Sequence, residues 1–376
     1  MKILHIITGL ATGGSEMMLY KILSKINREQ FQPVVLSLRD KGTLGDKIEA
    51  LGIPVYALGI NSKIATILAI SKLMHLINQV KPDIIQGWMY HGNFVAQLAI
   101  IGNCQLIPIV WNIRQSLYSL KFEKKSTAVI IKILSYLSKL PATIIYNSKT
   151  SAVQHQNLGY CATQSLVIPN GFDTNLFSPS NLARLSLRQE LGLEKDIFMI
   201  GIVARFHPMK DHNNFLQAAA NLLKHNPDIH FVLAGRNVDQ DNLKLVQLIE
   251  QLGIKENTHL LGERQDIPLI TAALDLATCS SYTEAFPNVI GEAMSCGVPC
   301  VVTDVGDSAS IVSDTGQVVP PSDPEALCAG WLKLIALEAD ARRELGTRAR
   351  QRIEQLFSLE NVVQQYEKLY QDIVYG

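Results

Sequence analysis

The sequence predicts an α/β fold built as two doubly wound, Rossmann-like domains. Three observations lead there. The chain has 376 residues, enough for two domains of ordinary size. Short apolar runs rich in β-branched residues alternate with longer amphipathic stretches, the pattern of βαβ units with buried parallel strands. The charge is also divided. Residues 1–180 hold 17 Lys and Arg against 8 Asp and Glu, a net of +9, and residues 181–376 hold 17 against 26, a net of −9, so the overall formal charge of +0 is a cancellation. A split of this kind marks two domains with different tasks. With 47% hydrophobic and 18% charged residues, the chain can bury sizeable cores and is not disordered.

In chain order, the first half predicts strands over Lys2–Thr8, Pro33–Leu38, Pro54–Leu58, Asp83–Gly87, Ile107–Trp111, Thr143–Tyr146 and Leu166–Pro169. Helical spacing falls on Ser15–Ile26 and Ile64–Gln79 between them. The second half predicts strands over Ile197–Val203, His230–Ala234, Thr258–Leu261, Leu274–Thr278, Pro299–Thr303 and Thr315–Val319. Its helices fall on Asn213–His225, Asp241–Leu252 and Pro324–Leu337. The Ser-Pro-Ser within Asn175–Asn181 reads as a linker, which gives domains over 1–178 and 179–357. The tail from Ser358 puts Val362, Val363, Tyr366, Leu369 and Tyr370 on one face, so 358–376 is expected to pack as a last helix on the first domain. Open α/β sheets bind ligands beyond the carboxyl ends of their strands, so the site is expected on post-strand loops facing a cleft between the domains.

Several classes are excluded. Met1–Ile7 reads as a first strand and not as a signal peptide. The apolar region Phe94–Val110 is broken by Gly102, Asn103, Gln105 and Pro108, and Ala128–Ile145 carries Lys132, Lys139 and Pro141, so neither offers the roughly 20 apolar residues of a spanning helix. The six cysteines are scattered, without zinc spacing or a disulfide framework. Asp239 and Asp241 form an acidic pair at a helix start, where Asp is a common cap, and not a metal site. A cytoplasmic protein without metal, cofactor or nucleic-acid partner is expected.

Three segments carry chemistry. Between Cys279 and Cys300, a strand feeds a polar loop bearing Glu284, Pro287 suits a first helical turn, and Gly297 with Pro299 stops the helix. The N–H groups of Phe286, Pro287's successor Asn288 and Val289 would then bind an anion or hydroxyl. Glu284 before the helix and Glu292 within it can accept hydrogen bonds from hydroxyls at two points of one ligand. Arg205 and Lys210, after the strand ending at Val203, can clamp a diphosphate, Arg as a planar fork and Lys as a point charge. Gly13 and Gly14, after the first strand, allow close backbone approach to a ligand, but their spacing is not that of a dinucleotide fingerprint.

Together these segments resemble the retaining GT-B glycosyltransferases of family 4. Glu284 and Glu292 match its E-x7-E element in E-A-F-P-N-V-I-G-E, Arg205 and Lys210 fall on its diphosphate-binding pair, and G-G-S-E on its glycine loop. I-P-N-G-F-D at 168–173, F-V-L-A-G at 231–235 and L-L-G-E at 260–263, which adds Glu263 on the donor side, also match. His91, in W-M-Y-H-G-N, resembles a cleft histidine that contacts the donor sugar. Asp307 is a departure, standing where many members carry a second Gly.

The resemblance implies transfer of a sugar from a UDP- or GDP-sugar with retained configuration and without metal. Arg205, Lys210, Glu284 and His91 are then the catalytic set. Gly13, Gly14, Glu263, Phe286, Pro287, Asn288, Val289 and Glu292 are then donor-binding, and the acceptor is a lipid-linked, glycan or small-molecule precursor. Lysines at 121, 124, 125, 132 and 139 around an apolar helical stretch point to peripheral contact of 121–140 with an anionic membrane at its cytoplasmic face. Two other readings stay open, a sugar-nucleotide isomerase of the same fold and a non-catalytic partner of a polysaccharide assembly. Product analysis without acceptor separates the isomerase, and donor hydrolysis excludes the binding partner.

Overall fold

A computed structural model describes residues 1–60, 63–101 and 107–376, with side chains at 63–70, 100 and 101 left out. Gly102, Asn103 and Gln105, read above as breaks in an apolar region, lie outside the described residues. The chain divides into two compact units, Met1–Gly171 with Leu359–Gly376, and Phe172–Ser358.

In the first unit the order is β1 (Lys2–Ile7), α1 (Gly14–Lys25), β2 (Gln32–Ser37), α2 (Gly42–Ala50), β3 (Val55–Ala57), α3 (Lys63–Val80), β4 (Ile84–Trp88), α4 (Met89–Ile101), β5 (Ile109–Ile113), α5 (Lys125–Leu137), β6 (Thr143–Tyr146), α6 (Lys149–Asn157) and β7 (Ser165–Val167). In the second it is α7 (Asn181–Glu190), β8 (Met199–Val203), α8 (His212–Leu223), β9 (His230–Ala234), α9 (Leu243–Gln251), β10 (Thr258–Leu260), α10 (Ile267–Ala273), β11 (Leu276–Cys279), α11 (Asn288–Ser295), β12 (Cys300–Thr303), α12 (Ser308–Val312), β13 (Gly316–Val319), α13 (Pro324–Ile335) and α14 (Ala339–Leu356). The last helix, α15 (Leu359–Tyr375), belongs to the first unit.

Each expected strand is present, and both sheets are parallel throughout. Their orders are β3-β2-β1-β4-β5-β6-β7 and β10-β9-β8-β11-β12-β13. Successive side chains leave a strand on opposite faces, so each sheet carries two cores. Leu4 and Ile6 of β1 enter one core with Tyr90 and Trp111, while Ile3 and Ile7 enter the other with Trp88, Tyr366 and Tyr370. In the second unit, Phe172, Phe286 and Ile290 mark one core, and Phe215, Phe231 and Trp331 the other.

The unit boundary differs from the one read at 178/179. Phe172 and Phe177 are both buried in the second unit, so the chain has already changed unit before the Ser-Pro-Ser segment. Phe172 N donates to Phe357 O at 2.9 Å, pairing the two crossing points of the chain. The helix expected from Asp241 starts later, because Asn242, not an Asp, caps it by accepting from Leu245 N at 3.3 Å, while Asp239 accepts from Asp241 N in a local turn. Helices α2, α4, α6, α7, α10, α12 and α14 were not among the stretches read as helical, and two of them show why. In α4 apolar residues surround the axis, and in α14 the buried stripe is Gly346, Ala349 and Ile353 within an otherwise charged run.

Polar ties inside the cores fix what apolar packing leaves loose. On the first sheet, α15 is keyed by Tyr370 to Gln86, and by the Tyr366 hydroxyl, which accepts from both Asn112 Nδ2 and Arg114 Nη1 at 2.9 Å. In the second unit Asp275, just before β11, accepts from buried Arg188 at 2.7 Å and from the first N–H of β8 at 2.8 Å. That joins the amino ends of the two central strands.

His155 of α6 is buried among Tyr90, Tyr146 and Tyr160. Its Nδ1 lies 2.7 Å from the Ser151 carbonyl, which only accepts, so Nδ1 carries the proton and Nε2 accepts from the Tyr90 hydroxyl at 2.9 Å. Burial pushes its pKa down from 6.5 to about 4. The unfolded chain then binds a proton that the folded one refuses, so stability is lost as pH falls from 6.5 towards 4, by about 1.4 kcal/mol per pH unit for such a histidine. Unfolding followed across this range should show His155→Gln losing stability less steeply than the parent; parallel slopes would exclude His155 as the group responsible.

Candidate functional site

In the second sheet the chain runs outward from β8 through β9 to β10, then returns to place β11 on the other side of β8. Loops leaving β8 and β11 therefore part in opposite directions, and the crevice between such loops is where open parallel sheets bind ligands. Arg205, after β8, is exposed, and Lys210 ends a single turn of 3-10 helix, Pro208–Lys210, whose entry is capped by His207. Burial first, then the charges of Arg205 and Lys210, lower the pKa of His207, which places it in the field of both cations.

Lys210 forms an ion pair with Glu284, from the loop after β11. Both side chains are largely withdrawn from solvent, and Ser281 Oγ donates to the same carboxylate oxygen at 2.8 Å. The loops are further joined by Ser280 Oγ donating to Lys210 O at 2.9 Å and Tyr282 N to Met209 O at 3.1 Å. Thr303 at the end of β12 donates to Ser281 O at 2.6 Å. Below them Gly306, at φ +57, passes so close that a Cβ would stand 2.6 Å from Glu284 O, and Asp307 N donates to Ala285 O at 3.0 Å. The backbone at position 307, whichever residue stands there, thus underpins the Glu284 loop.

Pro287 precedes α11 and does not enter its first turn, and the helix begins at Asn288. The Phe286 ring is buried against Phe172, centroids 6.1 Å apart, so only its backbone remains to meet a ligand. Asn288 and Val289 are half-buried at the helix start, where N–H groups lack intrahelical acceptors. Glu292 lies in the second turn, close enough to Cys296 for its charge, after burial, to help push that thiol up to about 12. Glu263 stands apart. It follows the outer strand β10, is exposed, and pairs with exposed Arg236 at 3.3 Å.

In the first sheet the order reverses between β1 and β4. Gly13 caps α1 and Gly14 opens it, both after β1. A Cβ on Gly13 would meet Glu16 Oε2 at 2.4 Å, so this helix start carries its own carboxylate, which also accepts from Ser15 Oγ at 2.8 Å. His91, expected on a loop, sits in the first turn of α4 directly after β4. It is half-buried, and burial followed by the charge of Arg39 lowers its pKa, keeping the imidazole neutral near pH 7. Arg39, beyond β2, was missed by sequence reasoning, as were Ser281 and Thr303. A lone Arg and scattered hydroxyls have no spacing signature, although S-S-Y-T-E hinted at the hydroxyl that steers Glu284. Among the described residues no group of three His, Cys, Asp or Glu side chains is arranged to hold a metal ion.

The Arg205 loop is set by its neighbour on β9. Ala204 N donates to Ala234 O at 2.9 Å and Phe206 N to Arg236 O at 2.8 Å, while Gly235, at φ +149, lies where a Cβ would be 2.3 Å from Ala204 O. Gly235→Ala should therefore displace Arg205 and destabilise the unit by about 1–3 kcal/mol. Denaturant unfolding with an unchanged midpoint would exclude this close approach.

Comparison with known proteins agrees with this fold. Residues 184–352 match the family model described as Glycosyl transferases group 1, and residues 12–176 match Glycosyltransferase Family 4. The chain is 27% identical over 60% of its length to N-acetyl-alpha-D-glucosaminyl L-malate synthase of Bacillus anthracis, spanning 59% of that protein. It is 26% identical over 72% of its length to UDP-Gal:alpha-D-GlcNAc-diphosphoundecaprenol alpha-1,3-galactosyltransferase of Escherichia coli, spanning 70% of it. The structure of Anabaena Alr3699/HepE in complex with UDP superposes with a TM-score of 0.86 at 26% identity, covering 99% of this chain and 100% of that one, and the same protein has been solved with UDP-glucose. The chain belongs to glycosyltransferase family 4, with the GT-B fold.

Proposed function

We propose that the protein transfers a sugar from a nucleoside-diphosphate sugar, UDP- or GDP-linked, to a lipid-linked or cell-surface glycan precursor, with retained anomeric configuration and without a metal ion. The observation that carries this reading is the Lys210–Glu284 pair beside Arg205 at the β8/β11 reversal. The UDP and UDP-glucose complexes of the Anabaena neighbour support the donor class. The Escherichia coli relative, whose name specifies a diphosphoundecaprenol acceptor, supports a lipid-linked one.

Breaking the bond from the sugar to the diphosphate leaves positive charge on the sugar ring and negative charge on the departing phosphate. Arg205 stabilises that phosphate with its fork, and Lys210 retains donors for it beyond the one engaged by Glu284. The N–H groups at the start of α11 add to this field. Glu284, held by an ammonium and a hydroxyl, is a weak nucleophile and a good acceptor for sugar hydroxyls, while Glu292 takes the ribose. In the first unit, His91, neutral near pH 7, can donate or accept a hydrogen bond at a ligand hydroxyl. A front-face substitution, in which the leaving phosphate oxygen helps deprotonate the acceptor, is what the family resemblance implies, and it needs no covalent intermediate.

UDP or GDP should raise the melting temperature, with about 2.7 kcal/mol of stabilisation at a hundredfold excess over Kd. Arg205→Ala should lose about 2–4 kcal/mol of transition-state stabilisation, about 30- to 1000-fold in kcat. Parental turnover in that variant would sink the assignment. Because cationic side chains meet the diphosphate charge, turnover should survive excess EDTA, and its loss with recovery on adding Mg²⁺ would overturn the metal-free reading.

A further inference from the structure

Helix α5 is apolar on two faces. Its inner face, Ile130, Ile131, Leu134 and Leu137, packs into the first unit's core. The outer face needs no such residues, yet Val129, Ile133 and Tyr136 stand on it at i, i+4 and i+7, exposed by 56%, 38% and 87%, and Leu140 just beyond the helix is 61% exposed. Lys125, Lys132 and Lys139 repeat every seven residues along one flank, and all three are exposed. Lys121 and Lys124 precede the helix, as do Tyr118 and Phe122, exposed rings 6.2 Å apart. The segment 114–140 contains a single acidic residue, Glu123, whose carboxylate accepts from Gln115 Nε2 at 2.9 Å.

We propose that this outer face of α5, with Tyr118 and Phe122, docks on the surface of an anionic lipid bilayer. The inference rests on the lipid-linked acceptor reading above and names the surface that reading requires. Aliphatic and aromatic side chains at the headgroup boundary, with a row of lysines beside them, is the chemistry of interfacial helices. Each lysine near an anionic leaflet adds attraction that salt weakens. A second copy of the chain fits less well, because a two-fold interface would bring lysine rows against each other. Among the described residues no helix is long and apolar enough to cross a membrane, so the contact is peripheral.

The test is co-sedimentation of the full chain with phosphatidylcholine vesicles with or without phosphatidylglycerol, at low and high salt. The parent should pellet with anionic vesicles and be released by salt. Lys132→Gln with Lys139→Gln should weaken partitioning about 25-fold, about fivefold per lysine. Ile133→Glu with Tyr136→Glu should abolish it. Equal recovery on both vesicle types, no pelleting, variants that pellet like the parent, or a lipid-free dimer broken by the Glu variant would each overturn the proposal. Thermal shift by UDP and by GDP is measured on the same proteins. A retained shift without vesicle binding removes the membrane surface and leaves the transferase reading standing, while vesicle binding without any shift does the reverse.

Discussion

Strand order in a parallel sheet is the constraint on which the rest depends. Every strand must end on the same edge, and the chain reverses its direction of travel beside the strand it laid down first, β1 in one unit and β8 in the other. Two loops leave that point in opposite directions and open a crevice that no side chain has to carve. The second unit treats the two ends of its central strands differently. At the amino end, Asp275 is saturated by Arg184, buried Arg188 and the β8 backbone, and the donors of Arg188 are consumed internally. At the carboxyl end, Lys210 and Glu284 meet across the crevice, largely withdrawn from solvent but with ammonium donors to spare.

The positions of these functional groups are held by the backbone around them. Gly235 lets β9 approach the Arg205 loop, Gly306 lets the β12 loop pass under Glu284, and Thr303 and Ser280 tie carbonyls of facing loops together. A cation and a carboxylate on long side chains would otherwise lose much of their value to rotamer entropy. The first unit offers a different arrangement, a neutral histidine beside an arginine at one strand reversal and a helix start covered by its own Glu16. The charge division between halves of the chain matches this difference in kind. On the proposed function, an acidic unit that takes an anionic donor must do so with local cations, and a basic unit with an exposed apolar stripe is suited to an anionic surface.

Strands were legible because burial on both faces demands continuous apolar runs, and runs such as Ile84–Ile85 or Val301–Val302 have no other reading in a chain of this composition. Helices were legible where one face is wet, as in α8, and lost where the period fails. In α4 all sides are apolar, and α14 packs through Gly346 and Ala349, residues too small to register as hydrophobic. The candidate loops were legible as spacing, and of the residues read that way the fold brings Lys210 and Glu284 into contact. Glu263 was placed with them by motif alone and lies beyond an outer strand.

Residue types and their periods therefore determined by themselves the two parallel sheets, while the family was pointed to by the resemblance of a few loop motifs. Only the tertiary structure decided that Lys210 faces Glu284, that Asp307 supports that loop, that the chain changes unit at Gly171, and that Tyr136 is exposed where Leu134 is buried. The physical reason is range. Period and propensity act within a few residues, whereas ion pairs, close backbone approaches and the choice of which helix face is covered are made by segments far apart in sequence that only the fold brings together.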